Sequence, residues 1–424
     1  MVGSNQHWQS DLGDIGQIED LIYNLSMAER MRIPRRLRAI ALERSTRYPT
    51  LTITGPRQSG KTTLCREAFS HLAYVNLEDQ TTREQALADP RGFLARYAGG
   101  AVFDEVQRAP ELLSAIQVAV DASPGNGRFV LSGSHNFQLH SAIDQSLAGR
   151  TSVLDLLPPA LDELRQFASA PRDLPPTLFQ GAYPRIFDQA IPVSEFMADY
   201  VRTYVERDVR LLLNVQDLGT FQTFLRLCAG RTGSLLNLSA LASDAGISHV
   251  TAKAWIGLLE ASYIVKRVQP WHSNLGKRLV KTPKLHFLDS GLLCWLLDIR
   301  SAGQVETHPL RGQIFESWVV AEVLKARANA GLSDPFWFFR DKSGTEIDLM
   351  LDLPDRRVLV ETKSGGRVAP DGTAHLYQVT DDMAGDPLLR GRIDRVVVYG
   401  GNERVTVNGV ELLPWSQVPD YSWR

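Results

Sequence analysis

Short apolar runs alternate with amphipathic stretches over the first part of the chain. Leu51-Thr52-Ile53-Thr54, Tyr74-Val75-Asn76-Leu77, Ala101-Val102-Phe103 and Phe129-Val130-Leu131 each read as a strand, and the segments between them read as helices. Strands spaced by helices predict a parallel α/β sheet from residue 35 to about 157. Ahead of it, Ile15, Ile18, Leu21, Ile22 and Leu25 recur at helical spacing and predict one amphipathic leader helix. Pro158-Pro159 and the prolines within 171–176 punctuate the end of the α/β unit, and residues 195–231 then read as mostly helical.

The pattern changes again near residue 235. Residues 238–241, the turn Gly246-Ile247-Ser248 and residues 251–259 predict helix, tight turn, helix, and Tyr263-Ile264-Val265 reads as the first strand of a wing. A helix over 312–324 and strands around 336–339, 346–351, 357–361 and 395–399 make the C-terminal part α/β once more.

Composition narrows the class. With 424 residues, 44% hydrophobic and 22% charged, the chain is an ordinary globular sequence of roughly two to four domains. A formal charge of -2 excludes a globally basic coat but not a local patch. Cys65, Cys228 and Cys294 lie far apart, without metal-ligand spacing or an even disulfide count, so a reducing cytoplasm is the expected home. No apolar run approaches the ~18 residues that span a bilayer, and Asp11, Asp14, Glu19 and Asp20 are wrong for a signal peptide, so no membrane partner is expected.

The strongest chemical signal is Gly55-Pro56-Arg57-Gln58-Ser59-Gly60-Lys61-Thr62, followed by Thr63, between a strand and a helix. Glycines let backbone N-H groups face phosphates, the helix start adds positive potential, Lys61 reaches the β and γ phosphates, and Thr62 offers a hydroxyl to Mg²⁺. The strand 101–103 ends in Asp104-Glu105, where Asp104 is expected to hold the magnesium and Glu105 to orient and deprotonate the attacking water. At the next strand end, Ser134, with Ser132 the alternative, is placed to sense the γ phosphate. Arg150 is either an arginine finger or a plain surface arginine.

These motifs, with Ile33-Pro34-Arg35-Arg36, Leu77-Glu78-Asp79, Ser146-Leu147-Ala148-Gly149-Arg150 and Gly181-Ala182-Tyr183-Pro184, resemble a prokaryotic AAA-type ATPase family with a C-terminal domain of unknown function (number 4143). The resemblance runs from about residue 32 to 400. It implies ATP binding, a winged-helix middle and a C-terminal fold similar to the PD-(D/E)xK nucleases. The expected division is a leader helix at 1–31, a P-loop AAA-type parallel-sheet ATPase domain at 32–175, a helical lid or linker at 176–232, a winged-helix domain at 233–304 and the nuclease-like α/β domain at 305–424.

Two further patterns bear on function. Five of the nine lysines, Lys253, Lys266, Lys277, Lys281 and Lys284, fall within residues 253–284, which carry a net charge of +6 once Arg267, Arg278 and Glu260 are included. That patch lies on the second helix and wing, so Lys253, Lys277, Arg278, Lys281 and Lys284 are expected to contact DNA phosphates, whereas Trp255 fits core spacing. In the C-terminal domain, Glu316, Asp348 and Glu361 are candidate ligands for a second divalent metal, Mg²⁺ or Mn²⁺, with Lys363 offsetting charge on a scissile phosphate. Glu361 and Lys363, two apart on a strand, share a face.

The leading expectation is a homo-oligomeric Mg-ATP-dependent ATPase whose cycle controls a DNA-binding winged helix and the nuclease-like domain. The alternatives are an ATP-switched DNA-binding regulator with an inactive nuclease fold, and a partner-binding ATPase without nucleic acid.

Overall fold

A computed structural model describes residues 33–123, 125–134, 146–205, 218–271, 282–332, 336–341, 344–369, 373–384 and 392–424. The expected leader helix of 1–31 and the basic residues Lys277, Arg278 and Lys281 lie outside them.

The four expected N-terminal strands form, as β1 (Thr50–Thr54), β2 (Ala73–Asn76), β3 (Ala101–Asp104) and β4 (Phe129–Ser132). A fifth, β5 (Thr151–Asp155), completes an all-parallel sheet of order β2-β3-β4-β1-β5. The sequence pattern did not announce β5: it is an edge strand whose Ser152 is buried while Val153 is exposed, so its apolar signal is diluted. By contrast β1, β3 and β4 are buried along their whole length. Helices α1 (Leu37–Ser45) and α2 (Lys61–Ala68) close one face with Leu51, Ile53 and Val130, while α3 (Glu111–Ala122) closes the other with Phe103, Phe129 and Leu131.

The helix-turn-helix is present as α4 (Leu238–Asp244) and α5 (His249–Ala261). Asn237 caps the first by accepting from the Ala240 N-H, Ser248 caps the second through the Thr251 N-H, and Gly246 supplies the left-handed turn at φ 67°. Trp255 packs edge-on between Phe221 and Phe224, at 5.2 and 5.1 Å between ring centres, which makes it core.

Strands β6 (Ser234–Leu235), β7 (Val265–Pro270) and β8 (Lys284–Phe287) pair antiparallel in the order β7-β8-β6 where the wing was expected, and are called the wing below. The wing does not stand alone. Strands β9 (Phe336–Arg340), β10 (Glu346–Asp352), β11 (Arg356–Lys363), β12 (Arg392–Tyr399), β13 (Val405–Val407) and β14 (Val410–Pro414) continue the same sheet, in order β13-β14-β12-β11-β10-β9-β7-β8-β6. The join is parallel pairing of Gln269 with Trp337 and Pro270 with Phe338. An open wing edge would leave backbone groups unpaired, and β9 satisfies them. Helices α6 (Ser290–Leu296) and α7 (Arg311–Asn329) pack on this sheet, in one apolar core that reaches from Leu161 to Trp423. Among the described residues no helix is long and apolar enough to cross a membrane.

Candidate functional site

The first site stands at the C-terminal edge of the five-stranded sheet, where open α/β sheets bind ligands. Strand β1 ends at Thr54 and the chain turns at Gly55, whose φ is 149°; a Cβ there would lie 2.2 Å from the Leu156 carbonyl oxygen, so only glycine fits. Gly60, at φ 96°, precedes the first turn of α2. Lys61 is buried and its Nζ donates to the carbonyls of Gly55 (3.1 Å) and Pro56 (2.8 Å), spanning its own loop. Burial lowers its pKa, opposed by the carboxylates of Glu105 and Asp104.

Asp104, at the end of β3, accepts from Thr62 Oγ1 (2.6 Å) and from the Tyr74 hydroxyl (2.7 Å), both at Oδ2. The structure thus brings Lys61, Thr62, Asp104 and Glu105 together as expected. Glu105 lies in the left-handed region at φ 57°, its N-H donating to Asp104 Oδ1 at 3.0 Å. Gln107 Nε2 donates both to Glu105 Oε2 and, at 3.0 Å, to Ser134 Oγ, so one amide links the two strand ends. A hydroxyl beside a buried carboxylate is an oxygen donor pair suited to Mg²⁺, so Thr62 and Asp104 fit that ion.

Arg35 braces the loop from outside. Its guanidinium donates to the carbonyls of Ser59 (2.8 Å) and Leu157 (2.6 Å) and to the fully buried carboxylate of Glu163 (3.2 Å). The Arg36 and Ala160 N-H groups also donate to Glu163, at 2.7 and 2.9 Å. Sequence reading singled out Arg35 within a motif but gave it no task, because its partners are more than 100 residues away or are backbone carbonyls.

Arg150 does not join this site within one chain. It precedes β5, its carbonyl accepts from the Thr50 N-H, and it therefore sits at the opposite end of the sheet, roughly 13 Å along β1 from the loop. Its side chain grips Asp121 at 2.6 and 2.8 Å.

A contact with the helix-turn-helix lies just behind the phosphate loop. Tyr263, also left-handed at φ 56°, follows α5 and opens the wing. Its hydroxyl donates to Asp155 Oδ1 at 2.5 Å, the same oxygen that accepts from Thr54 Oγ1 at 2.6 Å. Thr54 is the residue immediately before Gly55.

The second site corrects the reading of Lys284. It was expected on a DNA-facing surface, but it is 2% exposed and points into the C-terminal domain. Its Nζ lies 2.8 Å from Glu316 Oε1, 2.5 Å from Glu346 Oε1 and 3.6 Å from Asp348 Oδ1. Pairing of β8 inside the nine-stranded sheet turns the lysine inward, a non-local consequence that charge counting misses. Of the other expected DNA contacts, Lys253 is exposed on α5.

Glu316 and Asp348 do converge, but on an ammonium. Burial would lower the pKa of Lys284, yet Glu316, Asp348 and Glu346 reverse this and raise it. Burial, reinforced by the charge of Glu361, pushes Asp348 up to about 6. Thr362 answers by donating its N-H (2.9 Å) and hydroxyl (2.7 Å) to Asp348 Oδ2. Glu361 has partners of its own: Lys363 Nζ donates to its Oε1 at 2.7 Å and His375 Nε2 lies 3.0 Å from its Oε2. Among the described residues no group of three or more His, Cys, Asp or Glu is arranged to hold a metal ion. The expected trio Glu316, Asp348 and Glu361 therefore does not fit a second metal in this conformation. Glu346, missed earlier, carried a signal, since it stands two residues before Asp348 on one strand.

A loop of this kind closing a parallel sheet, with a carboxylate at the neighbouring strand end, defines a P-loop nucleotide-binding protein. Residues 47–165 match the AAA domain family, residues 171–303 a domain of unknown function (DUF8612) and residues 311–418 a domain of unknown function (DUF4143). The chain thus carries a segment that matches an AAA domain and, toward its C-terminal end, one that matches DUF4143. Relatives include the uncharacterized proteins Mb2031c of Mycobacterium bovis and Rv2008c of Mycobacterium tuberculosis, each 29% identical over 337 residues, 78% of this chain and 74% of theirs. Among solved structures, the Walker-type ATPase paby2304 of Pyrococcus abyssi aligns at a TM-score of 0.41 and 16% identity, over 62% of this chain and 96% of its own. The signal transduction ATPase PH0952 of Pyrococcus horikoshii aligns at 0.24 and 10% identity, over 71% of this chain and 50% of its own.

Proposed function

We propose that the protein hydrolyses Mg-ATP and passes its nucleotide state to the helix-turn-helix, which contacts DNA. The reading is carried by the meeting of Lys61, Thr62, Asp104 and Glu105 at one sheet edge within an AAA domain. Thr62 and Asp104 would hold magnesium, which when bound would neutralise charge on the phosphates. Lys61 exchanges the carbonyls of Gly55 and Pro56 for phosphate oxygens. Glu105 orients the attacking water and takes its proton, while Gln107 ties its position to Ser134. A finger role for Arg150 needs a second copy of the chain, which is why the reading includes a homo-oligomer. The buried free thiols Cys65, Cys228 and Cys294 suit a reducing cytoplasm.

For the C-terminal domain, Lys284 inside the carboxylate pocket favours an ATP-switched DNA-binding regulator over an active PD-(D/E)xK nuclease. The test measures DNA affinity against salt in ATP and in ADP, for the parent, Lys253→Glu and Lys277→Glu, beside a cleavage assay with Mg²⁺ or Mn²⁺. Each charge reversal is expected to reduce the salt slope by about one. Salt-independent binding would leave a partner-binding ATPase, and metal-dependent cleavage by the parent would restore the nuclease.

A further inference from the structure

We propose that Lys284 takes the place of a divalent cation in the pocket of Glu316, Glu346 and Asp348, and that the pocket is closed to metal while the lysine stays there. The inference rests on this pocket alone and is independent of ATP hydrolysis.

Three carboxylates from two elements, α7 and β10, face one ammonium, all within 3.6 Å of its nitrogen. The side chains of Glu316, Asp348 and Glu346 are 10, 14 and 28% exposed, and Arg340 lies 3.2 Å from the second oxygen of Glu346; carboxylates brought this close repel one another and call for a cation. A hard divalent ion can meet that demand, because oxygen ligands suit it. Here a covalently tethered charge does so. An ammonium and a divalent ion a few ångströms apart would repel, and the lone pairs turned to Lys284 cannot serve both. Two features bear on how the pocket is shaped. The register of β10 with β9 shifts between Ile347 and Met350, the stretch that presents Asp348, as strands do where a side chain is re-aimed. Gly233 then leaves room beside Glu316: a Cβ there would come 3.1 Å from Glu316 Oε2, and the φ of 68° already favours glycine.

Lys284 is the first residue of β8, paired with Val268 on one side and Leu235 on the other. The cation is therefore delivered by the wing, whereas its acceptors belong to the DUF4143 segment.

The experiment uses the full chain without nucleotide and Mn²⁺ as the probe, followed by electron paramagnetic resonance and thermal melting. Lys284→Met is expected to gain one Mn²⁺ site, about tenfold or more tighter than any in the parent, and Lys284→Met/Asp348→Asn to lose it. Lys284→Arg keeps the charge and is expected to gain none. Mn²⁺ is expected to raise the melting temperature of Lys284→Met and to leave that of the parent unchanged. If Lys284→Met does not fold alone, recovery of folded protein on refolding with Mn²⁺ supports the proposal, and no recovery overturns it. It is equally overturned if folded Lys284→Met binds no Mn²⁺, or if the parent binds it in a way that Asp348→Asn abolishes.

Discussion

Glu105 pays for its position with a left-handed backbone that no glycine relieves, and it is fixed there by Asp104 on one side and Gln107 on the other. Such strain, on the order of 1–3 kcal/mol, persists where the surroundings enforce it. Glu105→Gln is expected to bind ATP as the parent does and to turn over about 100-fold more slowly, since the carboxylate is lost and the geometry kept. Single-turnover hydrolysis beside equilibrium binding of a fluorescent ATP analogue measures both halves. Lys61→Ala is expected to weaken that binding by roughly 10- to 100-fold, the worth of a charged hydrogen bond. At His286 the sign of the pH effect is fixed by burial, which, with the charge of Lys284, lowers its pKa from 6.5 to about 3. The unfolded chain then binds a proton that the folded chain does not, so stability present above pH 6.5 is lost as pH falls toward 3. Melting temperatures between pH 7 and 4.5 are expected to fall for the parent and to fall less for His286→Asn, which removes that titration.

At the scale of elements, two braces set the phosphate loop. Arg35 ties the start of the chain's described part to Ser59, Leu157 and the buried Glu163. Arg35→Ala strands a buried carboxylate and is expected to cost about 3–5 kcal/mol in urea unfolding. Loss of the exposed Arg150–Asp121 pair by Arg150→Ala is expected to leave the unfolding curve unchanged. The other brace runs from Thr54 through Asp155 to Tyr263, and so from the loop to the wing. If that hydroxyl transmits nucleotide state, Tyr263→Phe leaves ATP affinity intact but erases the difference in amide exchange of β7 between ATP and ADP. An exchange difference retained in Tyr263→Phe would remove Tyr263 from the path.

Over the whole molecule, what the sequence itself determined is local. The phosphate loop, Asp104-Glu105, the helix-turn-helix and the inward Trp255 were all legible, because each depends on residue type and spacing within a few turns of chain. Strand and helix order offered Glu316, Asp348 and Glu361 as a trio, of which Glu316 and Asp348 face one ammonium. Tertiary structure decided what those groups meet. The wing pairs with β9 across more than 60 residues of chain, and that pairing turned Lys284 from an expected DNA contact into the counterion of Glu316, Glu346 and Asp348. It also joined two segments expected to be separate domains into one sheet and one core. Edge strand β5, the reach of Arg35 to Glu163 and of Tyr263 to Asp155 are of the same kind: backbone pairing and long side chains choose partners by proximity in space, and periodicity along the chain carries no record of that choice.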